Sequence, residues 1–277
     1  MLAIAWLFSV DRRRLPWRTI GYGLAIQLAV ALLLLRTGAG RGFFAGASAL
    51  VGGLTRYTDA GARFVFGPIM DSGFSIVTNV LPVIVFMGSL FSILFHLGVV
   101  QKVVGALAWG MSRTLRTSGA ESLSAVDNVL PGRVESRRLV KPYLERMTQS
   151  ELFCVMTVGM AGIAGSVLIV YVKMLGGGDY AGHLVTASLL SAPAGILLSK
   201  VMVPERETPQ TLAGAHSEVV PPGRNVIDAA ALGAIDGLRL VAFIGAMLLA
   251  FVSLVAMLND GIAGLGGLFG VEGLSLQ

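Results

Sequence analysis

Long apolar runs alternate with short polar stretches along the whole chain. Thr19 to Leu35 is nearly free of charge and closes at Arg36, and Val80 to Val100 carries Pro82 near its start. Gln149 to Met174, Leu184 to Val203 with Pro193 inside it, and Leu238 to Leu258 follow. Each has the roughly 20 residues a helix needs to cross a hydrocarbon core of about 30 Å. The pattern predicts an all-α polytopic membrane protein. Other stretches are apolar on one side only. Gly38 to Gly67 sets Arg41, Arg56, Asp59 and Arg63 among Phe43, Phe44, Leu50 and Leu54, which predicts a helix lying along the interface. Gln101 to Arg116 reads as a short basic amphipathic helix. Asn225 to Gly237 reads as a surface helix after a polar linker, Pro204 to Arg224. Met1 to Val10 is too short to span unless it is the tail of a longer helix, and it lacks the basic lead and cleavage site of a signal peptide.

One polar island, Thr117 to Leu152, differs from the other connections. Ser118 with Glu121, and Thr148 with Glu151, have the spacing of capping boxes, so helices should start near Gly119 and near Gln149. Pro131-Gly132 breaks the chain between them. Each arm beside that break would reach only about 20 Å at about 1.5 Å per residue, too short to cross. Two arrangements fit. One is a helical hairpin that enters the membrane, turns at Pro131-Gly132 and leaves on the same side, a form that survives where it lines a cavity or packs on protein. The other is a cytoplasmic hairpin, which Arg133, Arg137, Arg138, Lys141 and Arg146 favour.

Composition agrees with a membrane protein. Hydrophobic residues make up 55% and charged residues 13%, and the mean hydropathy is +0.77, which excludes a water-soluble domain of this size. The 36 glycines suit close helix packing in lipid. They also leave two readings of Gly159, Gly162 and Gly165, which are a packing face or an unwound helix centre whose carbonyls hold a cation. The lone Cys154 excludes an internal disulfide and reads as a small buried residue. His96, His183 and His216 show no zinc-type spacing, and no nucleophile lies beside a base, so nothing points to an enzyme. The net charge of +5 sits at span ends rather than in a nucleic-acid patch. With the Arg12 to Arg18 loop in the cytoplasm, alternation also places Lys102, Arg113, Arg116, the island, Lys200, Arg206, Arg224 and Arg239 there. That accounts for most of the 21 lysines and arginines, so the island opens from the inside.

ESLSA followed by Asn128, the run Met147 to Leu152, NVIDAAALGA from Asn225 and GAMLLAFVSLVAMLN from Gly245 together resemble the concentrative nucleoside transporters, in order and over the whole chain. The resemblance implies cation-driven uptake of nucleosides across the plasma (inner) membrane by a homotrimer, in which a transport domain moves against a scaffold. It implies sodium as the coupling ion, with a proton as the alternative, no other cofactor, and the lipid bilayer and nucleosides rather than nucleic acid as partners. It divides the chain into scaffold-like helices at 1–116, a transport-domain-like part at 117–203 with a re-entrant hairpin, and a scaffold-like linker and span at 204–277. The hairpin tip aligns Arg133, Val134 and Glu135 with residues that read the nucleobase, and Val167 with an apolar position beside the base, where plain helix packing is an equal reading. Sodium ligands align with Asn128, Pro131, Gly162 and Ile163.

Several positions depart from the family pattern. Arg133 replaces a glutamine that both donates and accepts, so it only donates and brings a charge that Glu135 or Asp127 must neutralise. Gly162 replaces a serine, which removes one hydroxyl from the cation. Family members also continue with a second hairpin that binds ribose. The expectation is that the 277 residues alone drive little or no sodium-dependent uridine uptake, either as a fragment or as a protein that no longer transports. The rival reading is a non-transporting membrane protein. Single cysteines in a Cys154-free background test the topology: at Arg113 and Arg206 they should label from the cytoplasm, and at Asp179 from outside. A cysteine at Gly132 that labels only from outside, with the island's ends on opposite faces, would rule out re-entry.

Overall fold

A computed structural model describes residues 1–72, 75–115, 117–129, 141–176, 180–209 and 223–268. The described residues form ten α-helices and no strand. They are α1 (Leu2–Leu7), α2 (Trp17–Arg36), α3 (Gly38–Phe66), α4 (Leu81–His96), α5 (Val99–Leu115), α6 (Gly119–Val129), α7 (Gln149–Ala161), α8 (Gly165–Met174), α9 (Ala181–Met202) and α10 (Val226–Leu268). Five segments are long and apolar enough to cross a membrane: Trp17–Arg36, Ile76–His96, Gln149–Met174, Ala181–Met202 and Val226–Ala263. They correspond one to one with the apolar runs.

The boundaries carry two corrections. The run expected over Val80 to Val100 ends at His96, because Gly98 takes φ 75° and turns the chain into α5, and it begins earlier through a wide π-type turn at Ile76–Val80. The expected surface helix and last span are a single helix, α10. Asn225 caps it by accepting from the Asp228 N–H, and Asp228 in turn accepts from the Arg224 N–H. Its buried residues Ala229, Gly233, Gly237 and Val241 recur every four positions, so the first half is a packing stripe rather than a surface element. The helix α3 follows its pattern. Thr37 accepts from the Gly40 N–H at its start, Val51, Thr58 and Ala62 are buried, and Arg41, Arg56 and Arg63 stay exposed.

Three apolar clusters hold the helices. Val83, Ile84 and Met87 of α4 pack with Leu168, Ile169 and Val172 of α8, Val51 of α3 and Val241 of α10. Phe95, Val100, Val104 and Ala108 pack on Leu123 and Val126 of α6. Leu115, Ala125, Cys154, Val158, Ala192 and Ile196 form the third, so Cys154 is a buried packing residue, as expected. The island's first arm, α6, is thus wedged between two clusters.

The crossing of α4 and α10 is glycine on glycine. A Cβ at Gly233 would stand 2.3 Å from the Gly88 carbonyl oxygen, and one at Gly88 would stand 2.6 Å from the Gly233 oxygen. Backbone cannot retreat as a flexible side chain can, so α4 and α10 meet only because both positions lack a side chain. Gly233→Ala should therefore cost about 1–3 kcal/mol in detergent melting by overpacking. Gly245→Ala, with nothing within 4 Å of its added carbon, should be neutral or slightly stabilising.

Candidate functional site

Both expected capping boxes are present. Ser118 Oγ accepts from the Glu121 N–H at 3.3 Å, and Glu121 Oε2 accepts from the Ser118 N–H at 3.0 Å. Thr148 Oγ1 accepts from the Glu151 N–H at 3.1 Å, and Glu151 Oε2 accepts from the Thr148 N–H at 2.9 Å. Four orphan donors at two helix starts are satisfied this way.

Both starts meet one side chain, Lys200, near the end of α9. Its Nζ lies 2.6 Å from Glu121 Oε1, and it donates to Ser150 Oγ at 3.0 Å and to Glu205 Oε2 at 3.2 Å. Ser150 Oγ donates onward to the Val203 carbonyl at 2.7 Å, and Thr148 Oγ1 donates to Glu205 Oε2 at 3.0 Å. The Lys200 side chain is 9% exposed and that of Glu121 is 0% exposed. Withdrawing such ions from water costs several kcal/mol each, which only close pairing and further hydrogen bonds offset. The geometric consequence concerns the island. Since α6 and α7 begin at the same end of α9, their starts at Gly119 and Gln149 lie together there, as the two ends of a re-entrant segment must. Beside the ion pair lies a cavity of about 450 Å³ whose walls include Arg14, Thr19, Thr117, Ser118 and Glu205, polar and roomy enough for water.

The centre of the third apolar run, Gln149 to Met174, is unwound. The helix α7 stops at Ala161, Gly162 is extended at φ −94° and ψ 156°, and α8 starts at Gly165. Gly159 has nothing within 4 Å of the place a Cβ would take, so it makes no packing contact of the kind that Gly88 makes. Of the two readings of these glycines, the helix break expected of an unwound centre is present at Gly162–Ala164. The Ile163 carbonyl in the break accepts from Ser188 Oγ of α9 at 3.0 Å, and a carbonyl retains a second lone pair.

The structure brings Gly162 and Ile163 to this break and Val167 to the first turn of α8, all half-buried. Asn128 belongs to the last turn of α6. Its side chain and that of Asp127, together with Pro131, Arg133, Val134 and Glu135, lie outside the described residues, and so does the expected Arg133–Glu135 pair. The helix α6 has 11 residues and α7 has 13, or about 16 Å and about 20 Å at about 1.5 Å each. The two helices start together at Lys200 and pack on each other. Lys200, Glu205 and Ser188 were not among the sequence-derived site residues. A lysine at the end of a span reads as a water-facing topology charge, and burial is what sets Lys200 apart. Ser188→Ala should cost about 1 kcal/mol in detergent melting by stripping the Ile163 carbonyl of its donor.

Comparison with known proteins gives a consistent picture. The family model described as Na+ dependent nucleoside transporter N-terminus matches residues 1–69, that described as nucleoside recognition matches 77–178, and that described as Na+ dependent nucleoside transporter C-terminus matches 183–277. The uncharacterized transporter YutK of Bacillus subtilis is 40% identical over 280 residues, covering 100% of this chain and 69% of the relative. The nucleoside permease NupC of Helicobacter pylori is 37% identical, covering 94% and 62%. CNTnw, solved in an inward-facing substrate-bound state, superposes with a TM-score of 0.90 at 40% identity, covering 99% of this chain and 66% of that one. The chain thus spans about two thirds of the length of these relatives.

Proposed function

The chain belongs to the Na+-dependent nucleoside transporter family, and from that premise we propose that it carries the first half of a cation and nucleoside site and serves cation-coupled nucleoside transport across the plasma membrane. The observation that carries this reading is the break at Gly162–Ala164, which ends a helix that starts beside α6 and packs on it. Broken backbone at membrane depth is tolerated where it lines a cavity, and its carbonyls suit a hard cation.

In this reading Asn128, Pro131, Gly162 and Ile163 supply oxygens to sodium, and Arg133, Val134, Glu135 and Val167 face the nucleobase. Residues 117–203 form the moving part, and 1–116 with 204–277 form the scaffold of a homotrimer. The ion pair of Lys173 on α8 with Asp59 on α3 crosses that boundary. The Asp59 side chain is 36% exposed and that of Lys173 16%, so the pair is only partly withdrawn from solvent.

Sodium binding tests the reading on this chain without requiring uptake. Sodium chloride, and not choline chloride, should raise the melting midpoint of the purified protein. Gly162→Ser, which returns a hydroxyl to the site, should lower the half-saturating sodium concentration about tenfold, equivalent to about 1.4 kcal/mol. No sodium-specific shift in either protein would favour the non-transporting reading, and a response to pH in place of sodium would favour a proton.

A further inference from the structure

We propose that Lys200 is a positioning residue for the cation site: its ammonium ties the start of α6 to the start of α7 and so sets the register in which their far ends meet. The inference rests on the reading that those far ends hold the cation. Three observations support it.

The first is the choice of partners. Lys200 reaches Glu121 on α6, Ser150 on α7 and Glu205 beyond α9, three separate pieces of chain, from one nitrogen. The second is its direction. A lysine serving only as an anchor at the end of a span extends its ammonium to water. Lys200 lines the polar cavity together with Glu121, yet its ammonium is spent on Glu121, Ser150 and Glu205 and its side chain is only 9% exposed. The third is leverage. The helix α6 runs unbroken from Gly119 to Val129, and α7 runs unbroken from Gln149 to Ala161, ending where the chain unwinds. A slip between their starts is therefore passed to the oxygens at their ends. Hard cations hold their oxygens at distances fixed within a few tenths of an ångström, so a slip of about 1 Å removes a ligand.

The competing account is that Lys200 merely neutralises Glu121. Ser150→Ala separates the two. It leaves the Lys200–Glu121 pair and the Thr148–Glu151 cap in place and removes the hydroxyl that joins α7 to Lys200 and to the Val203 carbonyl. The full chain in nanodiscs would be titrated with sodium by thermal shift, and its amide exchange followed by mass spectrometry over residues 119–129 and 149–161. Ser150→Ala should raise the half-saturating sodium concentration at least tenfold and speed exchange at the first turns of α6 and α7. The neutral pair Glu121→Gln with Lys200→Met should raise it as well, because a thioether cannot donate to Ser150. Wild-type sodium response in Ser150→Ala, or in the neutral pair should Ser150→Ala fail to fold, overturns the positioning role. If the wild-type chain shows no sodium response, the functional reading fails on its own. Exchange then decides the tie, which stands if Ser150→Ala exchanges faster and falls if it matches the wild type.

Discussion

A single ammonium buried among carboxylates at the end of a membrane helix joins the start of α6 to the start of α7. Without Lys200, the caps at Ser118 and Thr148 would still start two helices, but nothing polar would require the two to start together. With it, a polar island whose arms are each too short to cross has both ends held at one end of α9, which is the arrangement that re-entry requires. Burial makes the arrangement strict, because an ion withdrawn from water must keep its partners or the fold bears the desolvation cost.

The rest of the bundle is held by a different kind of force. Between membrane helices there is no water to expel, so contact depends on how closely backbones approach. Gly88 and Gly233 bring α4 and α10 together until carbonyl oxygens limit the approach. The Asp59–Lys173 pair, 36% and 16% exposed, is less deeply buried than the Glu121–Lys200 pair. A tightly pinned hairpin base, a close glycine contact within the proposed scaffold and a less buried ion pair between the proposed parts are a consistent distribution for a protein whose parts shift while its site stays assembled.

Spans and helix starts were legible in the sequence because each rests on local chemistry. Apolar length gave the five crossing segments, and the three-residue spacing of Ser118 with Glu121 and Thr148 with Glu151 gave both caps. The helix α10 was misread because Asp228, Asp236 and Arg239 gave its first half a surface character. The four-residue recurrence of Ala229, Gly233, Gly237 and Val241 was the stronger signal, and it meant contact. Lys200 was illegible in principle. Its role depends on Glu121 and Ser150, 79 and 50 positions earlier in the chain, being brought to it by the fold.

The measurement that bears most directly on this account is a double-mutant cycle on the ion pair, read as unfolding free energy in detergent. Lys200→Met should cost about 3–5 kcal/mol because it strands the buried Glu121 carboxylate, Glu121→Gln should cost less because Lys200 keeps Glu205, and the double mutant should cost far less than their sum. Costs that simply add would mean that Lys200 and Glu121 do not hold one another, and that the two helix starts are brought together by something else.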